Sequence, residues 1–234
     1  MKAQLVLVPG LAGDRVMWRS QLEALSAWQP VVTDVHMRHG SIPDMASALL
    51  AEVPGRLVLV GASMGGMVAM EAARQAPERV AALALLGTSA QPENEGMRQV
   101  RENAITLFGQ GRLREVIEPN VGFAFHPDHV QDPSIARDYL EFVLRAGADQ
   151  LVRQNRAVIS RPDARLHLPY VNCPVLVMHG DSDQLVPPDC GREIAGLAPQ
   201  AQLHVVPRCG HMLTMERPQE VNARLAAWLR EIGI

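Results

Sequence analysis

The sequence has little of what marks secreted, disulfide-bonded or membrane proteins. Its 234 residues contain three cysteines, Cys173, Cys190 and Cys209, an odd and widely spaced set without metal-ligand spacing, which predicts reduced thiols. No apolar stretch approaches the roughly 18 residues that span a bilayer. Met1-Lys2 leads directly into a strand-like run without the pattern of a signal peptide. We therefore expect a cytoplasmic protein that is not embedded in a membrane.

Clusters of like charge are also missing. The net charge is −3, and lysine and arginine are scattered along the chain, so no basic face for nucleic acid or an anionic membrane is visible. The hydrophobic share of 47% and the charged share of 20% are those of a globular domain of ordinary size. These features predict no nucleic-acid partner, and they carry no signal for an oligomeric state.

Short apolar runs alternate with helical patterns at both ends of the chain. Such runs are typical of strands buried on both faces of a sheet, and their alternation with helices implies an α/β fold. We expect a mostly parallel sheet with helices on both faces. The predicted strands are 5–8, 31–35, 57–60, 80–86, 174–178 and 203–206, and the predicted helices include 42–50, 189–197 and 218–229.

The alternation stops in the middle of the chain, where only amphipathic helical patterns occur. Val100, Ile105 and Phe108 lie along one predicted amphipathic helix, and two further helical patterns follow over 135–143 and 151–158. A stretch of this length between two core strands indicates a helical insertion rather than a loop. The expected organisation is a core over residues 1–88 and 170–234 with a helical cap over 89–169.

The stretch Gly61-Ala62-Ser63-Met64-Gly65 joins a predicted strand directly to a predicted helix. Such a sharp reversal leaves no room for side chains around its apex, which explains Gly61 and Gly65. It also holds the Ser63 hydroxyl at a helix N-terminus, where backbone N–H groups favour developing negative charge. The alternative is a tight turn of any α/β domain, in which the serine only fills space.

A serine hydroxyl becomes a good nucleophile when a neutral imidazole can take its proton and a carboxylate orients that imidazole. Two later segments offer these groups. Gly180-Asp-Ser-Asp-Gln-Leu-Val-Pro187 follows the strand after the insertion, and Cys209-Gly-His-Met212 follows the last strand. The carboxyl ends of parallel strands share one edge of a sheet, where such sheets bind ligands. Asp181 and Asp183 are both candidate acids, although an aspartate beside Gly180 is commonly a turn residue.

Taken together, these segments resemble the α/β-hydrolase fold superfamily, in which nucleophile, acid and histidine follow in this order. The resemblance covers the sheet-forming regions at both ends of the chain. It implies Ser63 as nucleophile, Asp183 as acid and His211 as base. It also implies that the backbone N–H groups of Leu11 and Met64 bind the oxyanion of the substrate.

This chain departs from the family pattern at two loops. Pro9-Gly10 stands where the family usually has His-Gly, which removes a hydrogen bond from that histidine. A Gly- and His-containing loop of the family is matched imperfectly by 37–41, and this predicts His36 and His39 at the rim of the site. The spacings His36-x-x-His39 and His126-x-x-His129 are fragments of a metal site without further ligands, so no metal is expected.

The cap contains all four phenylalanines and Tyr139. Some of these rings are expected to form an apolar wall above Ser63, although a cap also needs a small core of its own. Polar candidates for a carboxylate contact with the substrate are Asn155, Arg156 and Arg161, with surface solvation as the alternative for the arginines. The phenylalanines are Phe108, Phe123, Phe125 and Phe142.

The function that the resemblance implies is a cofactor-independent serine hydrolase acting on a small carboxylic ester, thioester or lactone through an acyl-enzyme. Two alternatives stay open from the sequence. A lyase or C–C bond hydrolase could use the same three residues for proton transfer alone. A non-catalytic small-molecule binding protein could keep the fold, although an intact set of three residues speaks against it.

Overall fold

The structure is a computed structural model that describes residues 3–234. Its centre is a six-stranded sheet in the order β2-β1-β3-β4-β5-β6, and every neighbouring pair of strands is parallel. This confirms the predicted α/β fold class. The strands are β1 (Gln4–Val8), β2 (Val31–Val32), β3 (Leu57–Ala62), β4 (Val80–Leu86), β5 (Val175–Gly180) and β6 (Ala201–Val206).

Helices cover both faces of the sheet, because the central strands carry apolar side chains on both faces and each face must be buried. Trp18, Leu225 and Trp228 pack on one face, and Met45, Leu49 and Val68 pack on the other. The helices are α1 (Arg19–Ala24), α2 (Val35–Arg38), α3 (Ile42–Glu52), α4 (Met64–Gln75), α5 (Glu95–Gly109), α6 (Leu113–Asn120), α7 (Pro127–Val130), α8 (Pro133–Ile159), α9 (Pro188–Leu197), α10 (Leu213–Glu216) and α11 (Pro218–Glu231).

The second strand is shorter than predicted. The expected strand 31–35 pairs with β1 only at Val31 and Val32, after which the Thr33 N–H donates to the Leu7 carbonyl oxygen (3.1 Å). The Thr33 hydroxyl oxygen then accepts a hydrogen bond from the Val35 N–H (3.4 Å), and the chain turns into α2. Val35 is fully buried as a helix residue in the core rather than as a strand residue.

The connection from β4 to β5 carries only helices among its described secondary structure, α5 to α8 and short 3-10 turns. Gly147 interrupts α8 with a φ of 77°, so the two predicted helices 135–143 and 151–158 lie on either side of one kink. Val100, Ile105 and Phe108 all lie on α5; Phe108 is buried, whereas Val100 is 58% exposed. We keep the division into core and cap as a proposal.

Across residues 3–234, none of the helices combines the length and the apolar character needed to cross a membrane. The three cysteines are unpaired.

Candidate active site

Ser63 occupies the sharp reversal between β3 and α4. Its φ of 52° and ψ of −118° form a backbone conformation that is rare for a residue with a side chain. The Ser63 N–H donates to the Leu86 carbonyl oxygen (2.8 Å), and the Thr88 hydroxyl donates to the Ser63 carbonyl oxygen (2.7 Å). The end of β4 thereby fixes the strained residue, as is typical where backbone strain serves a site.

The glycines around Ser63 are required by space. A Cβ atom on Gly61 would collide with the backbone of Gly65, and one on Gly65 would collide with the carbonyl oxygen of Val8. A Cβ on Gly10, in the turn after β1, would lie 3.2 Å from both the Ala62 oxygen and the Ser63 Cβ. Glycine at these positions therefore allows the turn after β1 to lie close to the sharp reversal at Ser63.

His211 and Asp183 meet at the same edge of the sheet. The Nδ1 atom of His211 lies 2.8 Å from Oδ2 of Asp183. The other carboxylate oxygen, Oδ1, accepts hydrogen bonds from the backbone N–H groups of Leu185 and Val186, both at 2.9 Å. Since Asp183 accepts at Oδ2, the proton of the neutral imidazole lies on Nδ1, and Nε2 remains as the acceptor.

The two partners shift each other's pKa. Burial disfavours the charged form of Asp183, but the charge of His211 and hydrogen bonds from His179, His211 and Val186 outweigh it and hold the pKa of the carboxyl well below its usual range. Burial likewise lowers the pKa of His211, but the charge and hydrogen bond of Asp183, with the charge of Glu216, outweigh it and raise that pKa above 6.5.

Asp181, the alternative acid, has different partners. Its Oδ1 atom accepts hydrogen bonds from the Ser182 hydroxyl (2.7 Å) and from the Cys209 N–H (3.3 Å). A second histidine instead flanks Asp183, because Nε2 of His179 lies 3.4 Å from its Oδ2 atom and donates to the Val186 carbonyl oxygen (2.8 Å). Asp183 is therefore the carboxylate in contact with His211.

Leu11 and Met64, whose backbone N–H groups are predicted to bind an oxyanion, line the same cavity as Ser63 and His211. Met64 is the first residue of α4, so its N–H is one of the donors that a helix start leaves without an intrahelical partner. The Leu11 N–H has no acceptor among residues 3–234. Neither N–H group is thus occupied by an acceptor in the part of the chain that the structure describes, and their role towards an oxyanion stays a prediction.

Gln154 of α8 holds the turn that carries Leu11. Its Oε1 atom accepts a hydrogen bond from the Ala12 N–H (2.8 Å), and its Nε2 atom donates to the His36 carbonyl oxygen (3.0 Å). The His36 imidazole donates from Nε2 to the Gly13 carbonyl oxygen (2.7 Å), and burial lowers its pKa. Neither His36 nor His39 lines the cavity, so the prediction of a rim position for them is wrong.

The cavity has a volume of about 210 Å³ and is lined mainly by apolar side chains. Among the aromatic residues between β4 and β5 it is bordered by Tyr139 and Phe142, whose rings meet edge to face at 5.2 Å. Phe125 is buried against Tyr139 behind this wall, and Phe123 is 49% exposed. The expected aromatic wall is thus limited to Tyr139 and Phe142. Methionines complete the lining: Met17, Met64, Met67, Met97 and Met212.

A family profile described as alpha/beta hydrolase fold matches residues 36–218 of this chain. The chain belongs to the α/β-hydrolase fold family. In this family a strand–serine–helix elbow with Gly-x-Ser-x-Gly carries the nucleophile. The match and the elbow geometry agree on the fold that surrounds Ser63.

Relatives with stated activities are similar to this α/β hydrolase over most of its length. A malate-bound thermophilic esterase from Thermogutta terrifontis has a TM-score of 0.89 and 26% identity, covering 99% of this chain and 91% of its own. RutD of Shigella flexneri, to which carbamate hydrolase activity is ascribed, is 28% identical over 240 residues, covering 94% of this chain and 89% of RutD.

A longer relative matches as well. The dihydrolipoyllysine-residue acetyltransferase component of the acetoin cleaving system of Pseudomonas putida is 28% identical over 243 residues. The match covers 97% of this α/β hydrolase and 63% of the relative. The chain therefore spans less than two thirds of that relative's length.

Glu216 of this α/β hydrolase connects the segment before α7 to the loop that carries His211. The buried carboxylate accepts hydrogen bonds from the backbone N–H groups of Gly210 (3.1 Å), Met212 (3.1 Å) and His126 (2.7 Å). The Ala124 carbonyl oxygen in turn accepts from the N–H groups of His211 and Met212, at 3.0 and 3.1 Å. The loop that carries His211 is thus held by contacts with the backbone of Ala124 and, through Glu216, with that of His126.

The sequence did not predict a role for Gln154, Glu216 or Arg101. Of these three residues, Arg101 lines the cavity. Gln154 is a polar residue on the apolar face that contains Leu151 and Val158, and this irregularity was the available signal. Of the predicted carboxylate contacts, Arg161 is paired with Glu93 (2.9 Å) and lies outside the cavity lining. No sequence signal points to Glu216, which joins the nearby N–H groups of Gly210 and Met212 to that of the distant His126.

The histidine pair at 126 and 129 has partners other than a metal. His129 Nδ1 contacts Glu216 (2.9 Å), and His126 Nδ1 accepts from the Asp128 N–H (3.1 Å). Within residues 3–234, no group of three or more His, Cys, Asp or Glu side chains is arranged to hold a metal ion.

Proposed function

We propose that this α/β hydrolase is a cofactor-independent serine hydrolase that cleaves a small carboxylic ester, thioester or lactone. Ser63 is the proposed nucleophile, His211 the base and Asp183 the acid. The main support is that Ser63 and His211 border one cavity while Asp183 is hydrogen-bonded to Nδ1 of His211. The Thermogutta terrifontis relative, described as an esterase, and RutD, described by its carbamate chemistry, support acyl-group hydrolysis.

In the first half-reaction the Ser63 hydroxyl oxygen attacks the substrate carbonyl carbon while His211 Nε2 takes the hydroxyl proton. The carbonyl oxygen becomes an oxyanion that accepts hydrogen bonds from the N–H groups of Leu11 and Met64. The C–O or C–S bond to the leaving group then breaks, and the imidazolium gives its proton to that group. An acyl ester on Ser63 remains.

In the second half-reaction water attacks the acyl ester. His211 takes a proton from the water, and the same two N–H groups bind the new oxyanion. The proton then returns to the Ser63 oxygen as the carboxylic acid product leaves. Asp183 keeps Nδ1 protonated throughout and stabilises the imidazolium. Nε2 of His211 is therefore free to accept and return the proton in both half-reactions.

The test is turnover of short p-nitrophenyl esters, lactones and 1,3-diketones by the parent and by Ser63→Ala. We expect the parent to hydrolyse esters or lactones and Ser63→Ala to lose about 10⁴- to 10⁶-fold in rate. Ser182→Ala is the control: it removes the same hydroxyl group from the loop that carries Asp183 and should retain the parent rate. Retention of more than a few per cent of activity in Ser63→Ala would exclude the mechanism, and turnover confined to diketones would indicate a C–C bond hydrolase.

A further inference from the structure

Arg101 brings a permanent positive charge to the cavity. It lies one turn after Met97 on α5, and both residues line the cavity, as residues four apart on one helix face do. Apart from Arg101 and His211, the described residues of the lining carry no ionisable acid or base other than the Tyr139 phenol. In particular, no aspartate or glutamate borders the cavity to neutralise the guanidinium directly.

Two of the three nitrogen atoms of the Arg101 guanidinium donate hydrogen bonds within the protein. Its Nε atom donates to Oε2 of Glu93 (2.5 Å) and its Nη1 atom donates to Oδ1 of Asn155 (3.0 Å). Asn155 is itself fixed by a hydrogen bond from its Nδ2 atom to the Leu151 carbonyl oxygen (2.8 Å). The Nη2 atom of Arg101 has no acceptor among residues 3–234. One edge of the guanidinium is therefore available to a ligand.

The carboxylate that pairs with Arg101 is shared with a second guanidinium group. Glu93 is 3% exposed and is shared between Arg101 and Arg161, at 2.5 and 2.9 Å. Two guanidinium groups thus face one carboxylate, which leaves one positive charge in excess. The exposed fraction of the Arg101 side chain is 24%, so water compensates this charge only partly. A partly desolvated cation beside an apolar cavity favours an anionic partner.

We propose that the substrate carries a carboxylate, away from the carbonyl that reacts, and that this carboxylate pairs with Nη2 of Arg101. The proposal rests on the proposed serine-hydrolase function. A carboxylate balances the single excess charge, whereas a phosphate monoester carries about −1.5 to −2 and would leave negative charge in excess. The substrate class is then an ester, thioester or lactone that bears a free carboxylate on its acyl or its leaving-group side.

A purely structural role for Arg101 makes a different prediction. If the guanidinium only joins α5 to Asn155 of α8, its loss lowers the rates of charged and neutral substrates alike. A substrate contact instead changes the ratio of kcat/KM between a carboxylate-bearing ester and its neutral counterpart. This ratio is the quantity to measure.

The experiment uses two matched substrate pairs. Mono-p-nitrophenyl adipate and its methyl ester place the charge on the acyl side, and 4-acetoxybenzoate and its methyl ester place it on the leaving-group side. We expect the parent to prefer the carboxylate member of at least one pair. Because a charge-assisted hydrogen bond is lost, Arg101→Met should lower that preference about 10- to 100-fold, and Arg101→Lys should give an intermediate ratio.

Arg98→Met is the matched control, because Arg98 lies on the same helix, pairs with Glu95 (3.5 Å) and lies outside the cavity lining. It should leave the ratio at the parent value. A parent that hydrolyses neutral esters without preferring either carboxylate, or an unchanged ratio in Arg101→Met, overturns the inference while the hydrolase function stands. Absence of ester turnover together with absence of fluorophosphonate labelling of Ser63 instead contradicts the function and the inference with it.

Discussion

At the scale of single residues, the two oxygens of Asp183 have separate tasks. Oδ1 accepts two backbone hydrogen bonds, from Leu185 and Val186, and Oδ2 faces Nδ1 of His211. An asparagine at this position would keep its carbonyl oxygen on the two backbone donors and turn its NH₂ group towards His211. The imidazole would then have to move its proton to Nε2, the atom that must accept from Ser63.

Asp183→Asn should therefore fold but lose about 10⁴-fold in kcat on a p-nitrophenyl ester. Asp181→Asn should stay within about tenfold of the parent, because Asp181 bonds Ser182 and the Cys209 N–H rather than the imidazole. Steady-state rates of the two variants, with circular dichroism to verify folding, check this expectation. The opposite ranking would assign the acid to Asp181.

The pH dependence follows from the raised pKa of His211. The active imidazole is neutral, so activity is lost as the pH falls through the pKa of the folded enzyme. We expect kcat/KM for a neutral ester to rise with pH and to reach half its maximum above pH 6.5, the ordinary value for histidine.

Two charged neighbours should move this midpoint in opposite directions. Glu216 raises the pKa of His211 and Arg101 lowers it, so Glu216→Gln should shift the midpoint to lower pH and Arg101→Met to higher pH. A pH profile of each variant measures the shift. If the midpoints of both variants shift in the same direction, or if the parent midpoint lies below pH 6.5, another group controls the profile.

At the scale of secondary-structure elements, α8 of the proposed cap supports the turn after β1. Gln154 bridges the Ala12 N–H and the His36 carbonyl oxygen, and this bridge fixes the backbone beside Leu11. The hydrogen bond that the family histidine would supply at Pro9 is missing. Gln154 and His36 instead attach this turn to α8 and α2.

Gln154→Leu should consequently lower kcat by about 10- to 100-fold with a smaller change in KM, because a shifted Leu11 N–H weakens contacts made mainly in the transition state. It also leaves two buried backbone groups without partners, so stability should fall by about 1–3 kcal/mol for each. Kinetics and thermal unfolding measure both effects. Gln150→Leu, one turn earlier on α8, is the control and should keep the parent kcat; equal kinetics in both variants would exclude the positioning role.

At the scale of the whole molecule, the sequence was most informative where neighbouring residues determine the structure. The buried strands β1, β3, β4 and β5 were predictable because each is a continuous apolar run, and the elbow was predictable because Gly61 and Gly65 are needed for its close backbone contacts. The order of Ser63, Asp183 and His211 along the chain was likewise visible, since each follows the carboxyl end of a strand.

What could not be predicted depends on contacts between distant segments. Gln154 meets Ala12 across 142 positions, and Glu216 meets His126 across 90. Glu93 is shared by Arg101 and the distant Arg161, a pairing that periodicity cannot reveal. The end of β2 at Val32 is followed by a local hydrogen bond from the Val35 N–H to the Thr33 hydroxyl oxygen, which the apolar pattern of 31–35 does not reveal.

The central claim is that Ser63 is an activated nucleophile, and a mass measurement tests it most directly. The parent is incubated with a fluorophosphonate probe, and the modified peptide is identified by digestion and tandem mass spectrometry. We predict one adduct per chain, located on Ser63, that is absent in Ser63→Ala and forms more slowly in Asp183→Asn. An adduct on another serine, or equal labelling of Ser63→Ala, would contradict the account.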